Sequence, residues 1–416
     1  VIDGKKIYFY RIKKGLTQKA ACEGICSVSY LSKIENNSIT ASPEILQLLC
    51  DRLDIETSYV SGEFINNLKK EIHDWYEDIK YRNAEDAHRK YEELQIQMNN
   101  VDDPDLINLF QVILVRYYIY IEEMSKAKEL LVQLTDMKKM YTEEIEFYIF
   151  QFTGLYEFLL DNYKTALVYY KRAYGLARTL GVKDHEIIYQ LTSITNKLGY
   201  FSQSLLYAKT ALDAFNAEAN YARSIDCHIF LGINYSRLKD FDTARSHYVT
   251  ALNAANFNPA LKRMLPNILH NMGYSYFQAG KYGESLNVLK ECLKKRRGIN
   301  TATTICLIAF NYYMKNEMKE AKQWISKGLN VTDEENITTG YIRLKTLEYK
   351  VYELDHTEEY QKFIEEKALP FLEKIQDRLH LIELYEELAT YYSNKFLYKQ
   401  ANHYYAAVNQ LYKEHL

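Results

Sequence analysis

The chain has 416 residues, 47% hydrophobic and 26% charged, with a net charge of −3. That length exceeds what one hydrophobic core organises, and that apolar content excludes wholesale disorder. The near-neutral balance excludes a general polyanion binder, and scarce Gly (15) and Pro (5) point to long helices with short connections. The longest apolar cluster, Val112 to Ile121, is interrupted by Arg116, so no membrane span is expected. No secretory leader is read at the N-terminus, and the expected location is the cytoplasm. The six cysteines, at 22, 26, 50, 227, 292 and 306, include one pair four apart, with no second pair or histidine at zinc-ligand spacing. They read as ordinary thiols in a reducing compartment, with no metal site and no cofactor expected.

The first twenty residues carry six basic side chains (Lys5, Lys6, Arg11, Lys13, Lys14, Lys19) against Asp3 alone. Such a segment supplies sequence-independent attraction to phosphate. Ile7, Ile12 and Leu16 give a helical stripe. Thr17 predicts the cap of a second helix, Gly24 its turn, and Ser27 the cap of a third helix with Leu31 and Ile34 facing inward. Val28, Ser29, Ser32 and Lys33 are left for its outer face. Ser42-Pro43-Glu44 opens a further helix, with Leu46, Leu49 and Leu53 as its apolar side.

Leu16-Thr17-Gln18, Ala21, Gly24, Ser29, Leu31-Ser32-Lys33-Ile34-Glu35 and Pro43 followed by Leu46 and Leu49 resemble the Xre-like, or Cro/cI-type, helix-turn-helix family over about residues 3–60. The resemblance implies that Gln18 braces the DNA backbone and that Ser27, Val28, Ser29, Ser32 and Lys33 at the start of the third helix face the major groove. Arg11 is a further phosphate candidate, and Glu35 is expected to pair within the domain. The domain is expected to cover residues 1–62, with the boundary between Thr57 and Phe64; Phe64, Ile65, Leu68, Ile72 and Trp75 start the helix that follows.

Residues 63–416 show a recurring pattern. Leu231-Gly232-x-x-Tyr235 is followed by Ala244, Tyr248 and Ala251; Met272-Gly273-x-x-Tyr276 by Ser285, Leu289 and Cys292; Ile308-Ala309-x-x-Tyr312 by Ala321, Ile325 and Gly328; and Leu388-Ala389-x-x-Tyr392 by Ala401, Tyr405 and Val408. A weaker copy centres on Gly154, with Ala166, Tyr170 and Ala173. Each copy reads as a helical hairpin in which a small residue allows close approach; such hairpins bury their apolar faces only by stacking. The pattern resembles tetratricopeptide repeats, which implies an all-α fold: the helix-turn-helix domain followed by a right-handed superhelix that senses peptide and oligomerises. Turns are expected at 239–242 and 280–283, and residues 331–372 fit the pattern poorly. Tyr391, Tyr392, Phe396, Tyr404 and Tyr405 in the last hairpin either cap the array or pair subunits.

The inner helices are expected to offer Arg116, Gln151, Asn196, Asn234, Asn267, Asn271, Tyr274 and Asn311 to a concave groove. Asparagine presents a donor and an acceptor together and suits an extended peptide backbone, while arginine suits a carboxylate. A helix-turn-helix joined to such an array, with Asn271-x-Gly273-x-x-Tyr276, is similar to the RRNPP peptide-pheromone receptors of Gram-positive bacteria, and to their NprR-type branch in particular. The resemblance implies a quorum-sensing regulator that binds a short re-imported peptide, duplex operator DNA and a second copy of itself, as dimer or tetramer. It also implies a different reading, a peptide-controlled phosphorelay inhibitor that binds a response regulator. An enzyme is not expected, since the sequence shows no Gly-rich phosphate loop, no His-Glu-x-x-His and no nucleophile elbow. His228 and His270 read as solvated or core residues. A ligand-free phage-type repressor would not need a body this long.

Overall fold

The computed structural model describes residues 4–55, 62–81, 83–99, 101–136, 141–182, 184–296, 301–332 and 337–413, and every regular element among them is helical. The chain divides into two compact units, Val1–Asp184 and His185–Leu416. No helix among the described residues is long and apolar enough to cross a membrane.

The first unit opens with α1 (Gly4–Lys13), α2 (Gln18–Cys22), α3 (Val28–Glu35) and α4 (Pro43–Leu53). Thr17, Ser27 and Ser42 cap α2, α3 and α4, each hydroxyl accepting from a backbone N–H three residues on. Gly24 adopts φ +74° between α2 and α3, in the left-handed region where a Cβ would be strained. Ile7, Ala21, Leu31, Ile34, Leu49, Leu53 and Ile55 close a core within this segment. The expected boundary overlaps residues 56–61, which lie outside the described residues.

Five longer helices and a shorter partner complete the unit: α5 (Gly62–Tyr81), α6 (Ala84–Met98), α7 (Pro104–Tyr120), α8 (Met124–Asp136), α9 (Glu143–Leu159) and α10 (Tyr163–Leu180). They pack as successive hairpins, and α5, α7 and α9 also touch one another in turn. Trp75 is fully buried, stacked against Tyr91 and Phe110, with its indole N–H donating to the Ala87 carbonyl at 2.9 Å. Lys6 pairs with Asp102, tying α1 to the segment before α7.

The second unit repeats the same arrangement in α11 (Glu186–Lys197), α12 (Phe201–Ala217), α13 (Tyr221–Arg237), α14 (Phe241–Phe257), α15 (Leu265–Gln278), α16 (Tyr282–Lys295), α17 (Thr301–Met314), α18 (Met318–Leu329) and α19 (Thr339–Val351). α11, α13, α15 and α17 each pack on their own hairpin partner and on the next odd-numbered helix. A Cβ added to Gly232 would lie 2.5 Å from the Tyr248 ring, and one on Gly273 would lie 2.6 Å from Leu289. Gly154 meets Tyr170 in the same way in the first unit. The glycine is therefore a socket for a large side chain sixteen positions downstream, which explains why a small residue recurs there. The hairpin turns fall at 238–240 and 279–281, slightly earlier than expected, with Lys239 and Gly280 in the left-handed region.

Residues 358–374, the second half of the poorly fitting stretch, run as α20 (Glu358–Lys362), a π turn over Phe363–Ala368 and α21 (Leu369–Lys374). The hairpin of α22 (Arg378–Asn394) and α23 (Tyr398–Lys413) ends the described chain. Its aromatics divide between packed and exposed positions. Tyr392 and Tyr404 stack at 5.8 Å and both donate to Glu365, at 2.7 and 2.6 Å, whereas Phe396 and Tyr405 stay exposed.

Candidate functional site

Two candidate surfaces emerge. The first is the outer face of α3. Leu31 and Ile34 are buried, which turns Ser27, Val28, Ser29 and Lys33 to solvent, with Ser32 half-buried beside them. Val28 is 43% exposed, an apolar residue of the kind that meets a thymine methyl in a major groove. Arg52 fixes the preceding turn by donating to the carbonyls of Ala20 and Glu23, each at 3.2 Å.

Gln18 and Arg11 are placed differently from each other. Gln18 is half-buried at the start of α2 and donates to Glu35 Oε2 at 2.7 Å. Arg11 is buried, donates through Nε and Nη2 to Glu35, and through Nη1 to the Leu16 carbonyl at 2.8 Å. Its guanidinium is therefore consumed inside the domain and has no face left for a phosphate, which corrects the expectation for Arg11. Glu35 pairs within the domain as expected. The basic cluster is also thinner than its sequence suggests, since Lys6 pairs with Asp102 and Lys14 with Asp54, leaving Lys13 and Lys19 exposed and Lys5 half-buried.

The second surface belongs to the repeats. In the first unit, Arg116 is half-buried on α7, and Gln151 is fully buried on α9 with neither amide atom hydrogen-bonded. In the second unit, Asn196 donates to Asn234 Oδ1 at 2.8 Å, and Asn234 donates to Ser204 Oγ at 2.9 Å. Asn234 and Asn311 have no exposed surface. Asn311 donates to the Leu307 carbonyl at 2.7 Å and keeps an unbonded Oδ1. For Gln151, Asn234 and Asn311 to meet a ligand, neighbouring side chains must move. Asn267, Asn271 and Tyr274 do reach the surface of α15. Asn267 is engaged by Arg296 at 2.8 Å, and Asn271 donates to the Asn267 carbonyl at 2.8 Å, which leaves its Oδ1 as an acceptor.

Tyr274 is the link to a feature the sequence did not reveal. It lines a cavity of about 330 Å³ whose wall is built from α15, α17, α19 and α22, including Phe310, Arg343, Lys350, Glu383 and Glu387. A second cavity of about 640 Å³ shares Lys350, Glu383 and Glu387 and continues along α22 to Tyr391 and Lys395. Volumes in this range suit a small ligand or part of a peptide. Lys350 donates to Glu387 at 2.6 Å, and His380 pairs with Asp377 at 2.7 Å. Burial works against the charge on Arg343, but Cys306, Tyr274 and Glu383 outweigh it and hold the guanidinium's pKa above its ordinary value.

Polar contacts join successive inner helices in this unit: Asn196 with Asn234, Ser236 Oγ with Ser275 Oγ at 2.7 Å, and His270 Nδ1 with Thr304 Oγ1 at 3.1 Å. His270 is lowered to about 3 by burial and by the charges of Arg296 and Arg343. His228 lies 2.9 Å from His247, nitrogen to nitrogen, and is lowered to about 4 by burial and by that neighbour. Both histidines are packed within the repeats. Among the described residues no group of three metal-ligating side chains converges. All six cysteines are free, with Cys26 half-buried and the others buried.

Comparison with known proteins agrees with this architecture. The helix-turn-helix family matches residues 7–60, and the tetratricopeptide repeat family matches residues 267–299. The chain is 29% identical to the transcriptional activator NprA of Geobacillus stearothermophilus, over 94% of this chain and 98% of that protein. It is 23% identical to response regulator aspartate phosphatase E of Bacillus subtilis, over 62% of this chain and 73% of that one. Among solved structures, the apo form of the quorum sensor NprR from B. thuringiensis matches with a TM-score of 0.70 at 24% identity, over 83% of this chain and 99% of that one. NprR in complex with its cognate peptide NprX matches with a TM-score of 0.64 at 24% identity, over the same shares of both chains. A helix-turn-helix joined to these repeats is thus similar along nearly its whole length to an NprA activator, and it shares the fold of the NprR structures.

Proposed function

We propose that the protein is a cytoplasmic, peptide-regulated transcription factor. In this reading residues 1–62 bind duplex operator DNA through the exposed face of α3, and residues 63–416 bind a short re-imported peptide and assemble subunits. The observation that carries it is the coexistence of an unobstructed Ser27–Lys33 face with a ligand-sized cavity on the inner helices of the repeats. The likeness to an activator and to a structure bound to its cognate peptide supports the same reading. Asn271 Oδ1 and the Tyr274 hydroxyl supply polar contacts to peptide backbone, and the aromatic walls bury its side chains.

Regulation then follows from differential affinity. A peptide that prefers one arrangement of the dimer or tetramer draws the population toward it; one without preference changes nothing. Helix-turn-helix dimers engage paired half-sites, so a change in subunit arrangement alters their spacing and hence operator affinity. The test is a screen of short synthetic peptides against the full chain, read by sedimentation and by gel shift on duplex selected from a random pool. A peptide that changes both assembly and DNA affinity supports the reading. Selected DNA with no peptide response points to an unliganded repressor.

The likeness to an aspartate phosphatase acting on response regulators favours a second activity for the repeats, capture of a response regulator in the peptide-free form. A pull-down of purified response regulators with and without the selected peptide tests it. Retention lost on adding peptide supports a dual role, and no retention in either state removes it.

A further inference from the structure

Arg343 stands on α19 in the wall of the 330 Å³ cavity, its guanidinium 5.1 Å from the centroid of the Phe310 ring. Two of the ionisable groups in the cavity wall are matched: Lys350 by Glu387, and His380 by Asp377. Among the described residues Arg343 forms no ion pair and its side chain donates no hydrogen bond; the guanidinium lies against the aromatic face of Phe310. Glu383 on α22 faces the same space, is exposed and is likewise unbonded, so it acts across the cavity as a charge and not as a partner.

Distant charges such as Glu383 favour the cation, but they fill none of its N–H donors, and donors that give up water without a bonded acceptor are costly to hold. Stacking on Phe310 orients the fork and offsets part of that cost without occupying a single N–H. An arginine oriented in this way lacks only the planar, two-oxygen acceptor that its geometry fits.

We propose that this cavity is the carboxylate-anchoring subsite of the peptide ligand. Arg343 grips a carboxylate with two parallel N–H donors, while Phe310 and Leu384 pack the apolar group beside it. The inference rests on the peptide reading above and adds the chemistry of one end of the ligand: an acidic side chain or the free chain terminus.

The experiment uses the full chain and a synthetic octapeptide library in four forms, with the C-terminus free or amidated and with Asp and Glu allowed or replaced by Asn and Gln. Retained peptides are identified by mass spectrometry, and the best binder and its carboxylate-free analogue are titrated by calorimetry. The wild type is expected to prefer the carboxylate form about tenfold or more, and the pool that keeps this preference names the source of the carboxylate. In Arg343→Gln the preference collapses toward one while binding of the neutral analogue is kept. Arg343→Lys restores part of the preference. The Arg343→Gln unfolding midpoint falls only slightly, because the stacking on Phe310 and the distant Glu383 charge are lost but no hydrogen bond is, whereas an arginine with bonded internal partners would lower it clearly. If peptides bind wild type but with no carboxylate preference, or if the preference survives Arg343→Gln, the subsite is overturned and peptide sensing stands. If the wild type retains no peptide from any pool, peptide sensing itself fails, and the subsite with it. Should Arg343→Gln not fold, the preference ratio in Arg343→Lys decides alone, an unchanged ratio overturning the proposal.

Discussion

Replacing Arg11 by methionine should destroy DNA binding without removing any DNA contact. The Glu35 carboxylate accepts from Arg11 Nε, from Arg11 Nη2 at 3.0 Å and from Gln18 Nε2 at 2.7 Å. The Arg11 and Glu35 side chains are only 7% and 2% exposed. Arg11→Met strands that carboxylate in a low-dielectric site, and breaking a buried pair from one side costs about 3–5 kcal/mol. A helix-turn-helix segment of this size holds about 3–8 kcal/mol in all, at ~0.05–0.15 kcal/mol per residue. The single variant should therefore lie at or below the edge of stability in this segment while the repeats stay folded. Hydrogen exchange on the full chain should show lost protection confined to residues 4–55. Arg11→Met combined with Glu35→Leu removes both charges and fills the space with apolar atoms, a change that is often neutral. The double variant should regain protection and bind selected duplex within a few-fold of wild type. A double variant that folds fully but binds DNA tenfold or more weakly would refute this reasoning and return Arg11 to the phosphate backbone.

Lys33→Ala should weaken specific duplex binding by roughly 1–3 kcal/mol in gel-shift titration with no change in unfolding midpoint, if the exposed ammonium reads a base. Gly232→Ala should cost about 1–3 kcal/mol in thermal unfolding, because the new methyl meets the Tyr248 ring, and Tyr248→Leu in the same chain should recover part of the loss. Asn271→Ala should lower affinity for a selected peptide in calorimetry while leaving the helical signal unchanged. His228, lowered to about 4, stays neutral in the fold but takes up a proton on unfolding below its ordinary value of about 6.5. The stability linked to it is thus full above pH 6.5 and is lost as pH falls toward 4. With partial exposure the loss is about 1–2 kcal/mol, and His228→Gln should flatten that part of the pH–stability curve.

The features legible in the sequence are those whose partners are local. Thr17, Ser27 and Ser42 cap helices that begin at the next residue, so a single residue type in position announces each one. The repeats were legible because Gly154, Gly232 and Gly273 each need the same socket for the same reason. Arg11 was misread because its partner, Glu35, lies on another helix, and no local pattern distinguishes a buried arginine from an exposed one. The groove was only partly legible because neighbouring residues on a helix point about 100° apart. Asn311 is sealed inside while Phe310, one position earlier, lines the cavity. Arg343 is not legible as a site residue because it falls within residues 331–372, where the repeat signature fades and the register that would place α19 against α17 is lost.

The hydroxyl and amide pairs between successive inner helices bear on how the second unit can move. An apolar helix interface tolerates a gradual slide, since one methyl contact replaces another. The 2.7 Å bond between Ser236 and Ser275 is steep in distance: displaced by an ångström it is broken, and Ser236 keeps only its bond to the Gly232 carbonyl on its own helix. Together with the Asn196–Asn234 and His270–Thr304 contacts it acts as a row of detents. Strain entering at one hairpin is resisted until a pair lets go and then passes on in a step, so this stack of helices behaves less like a spring than like a ratchet with countable stops.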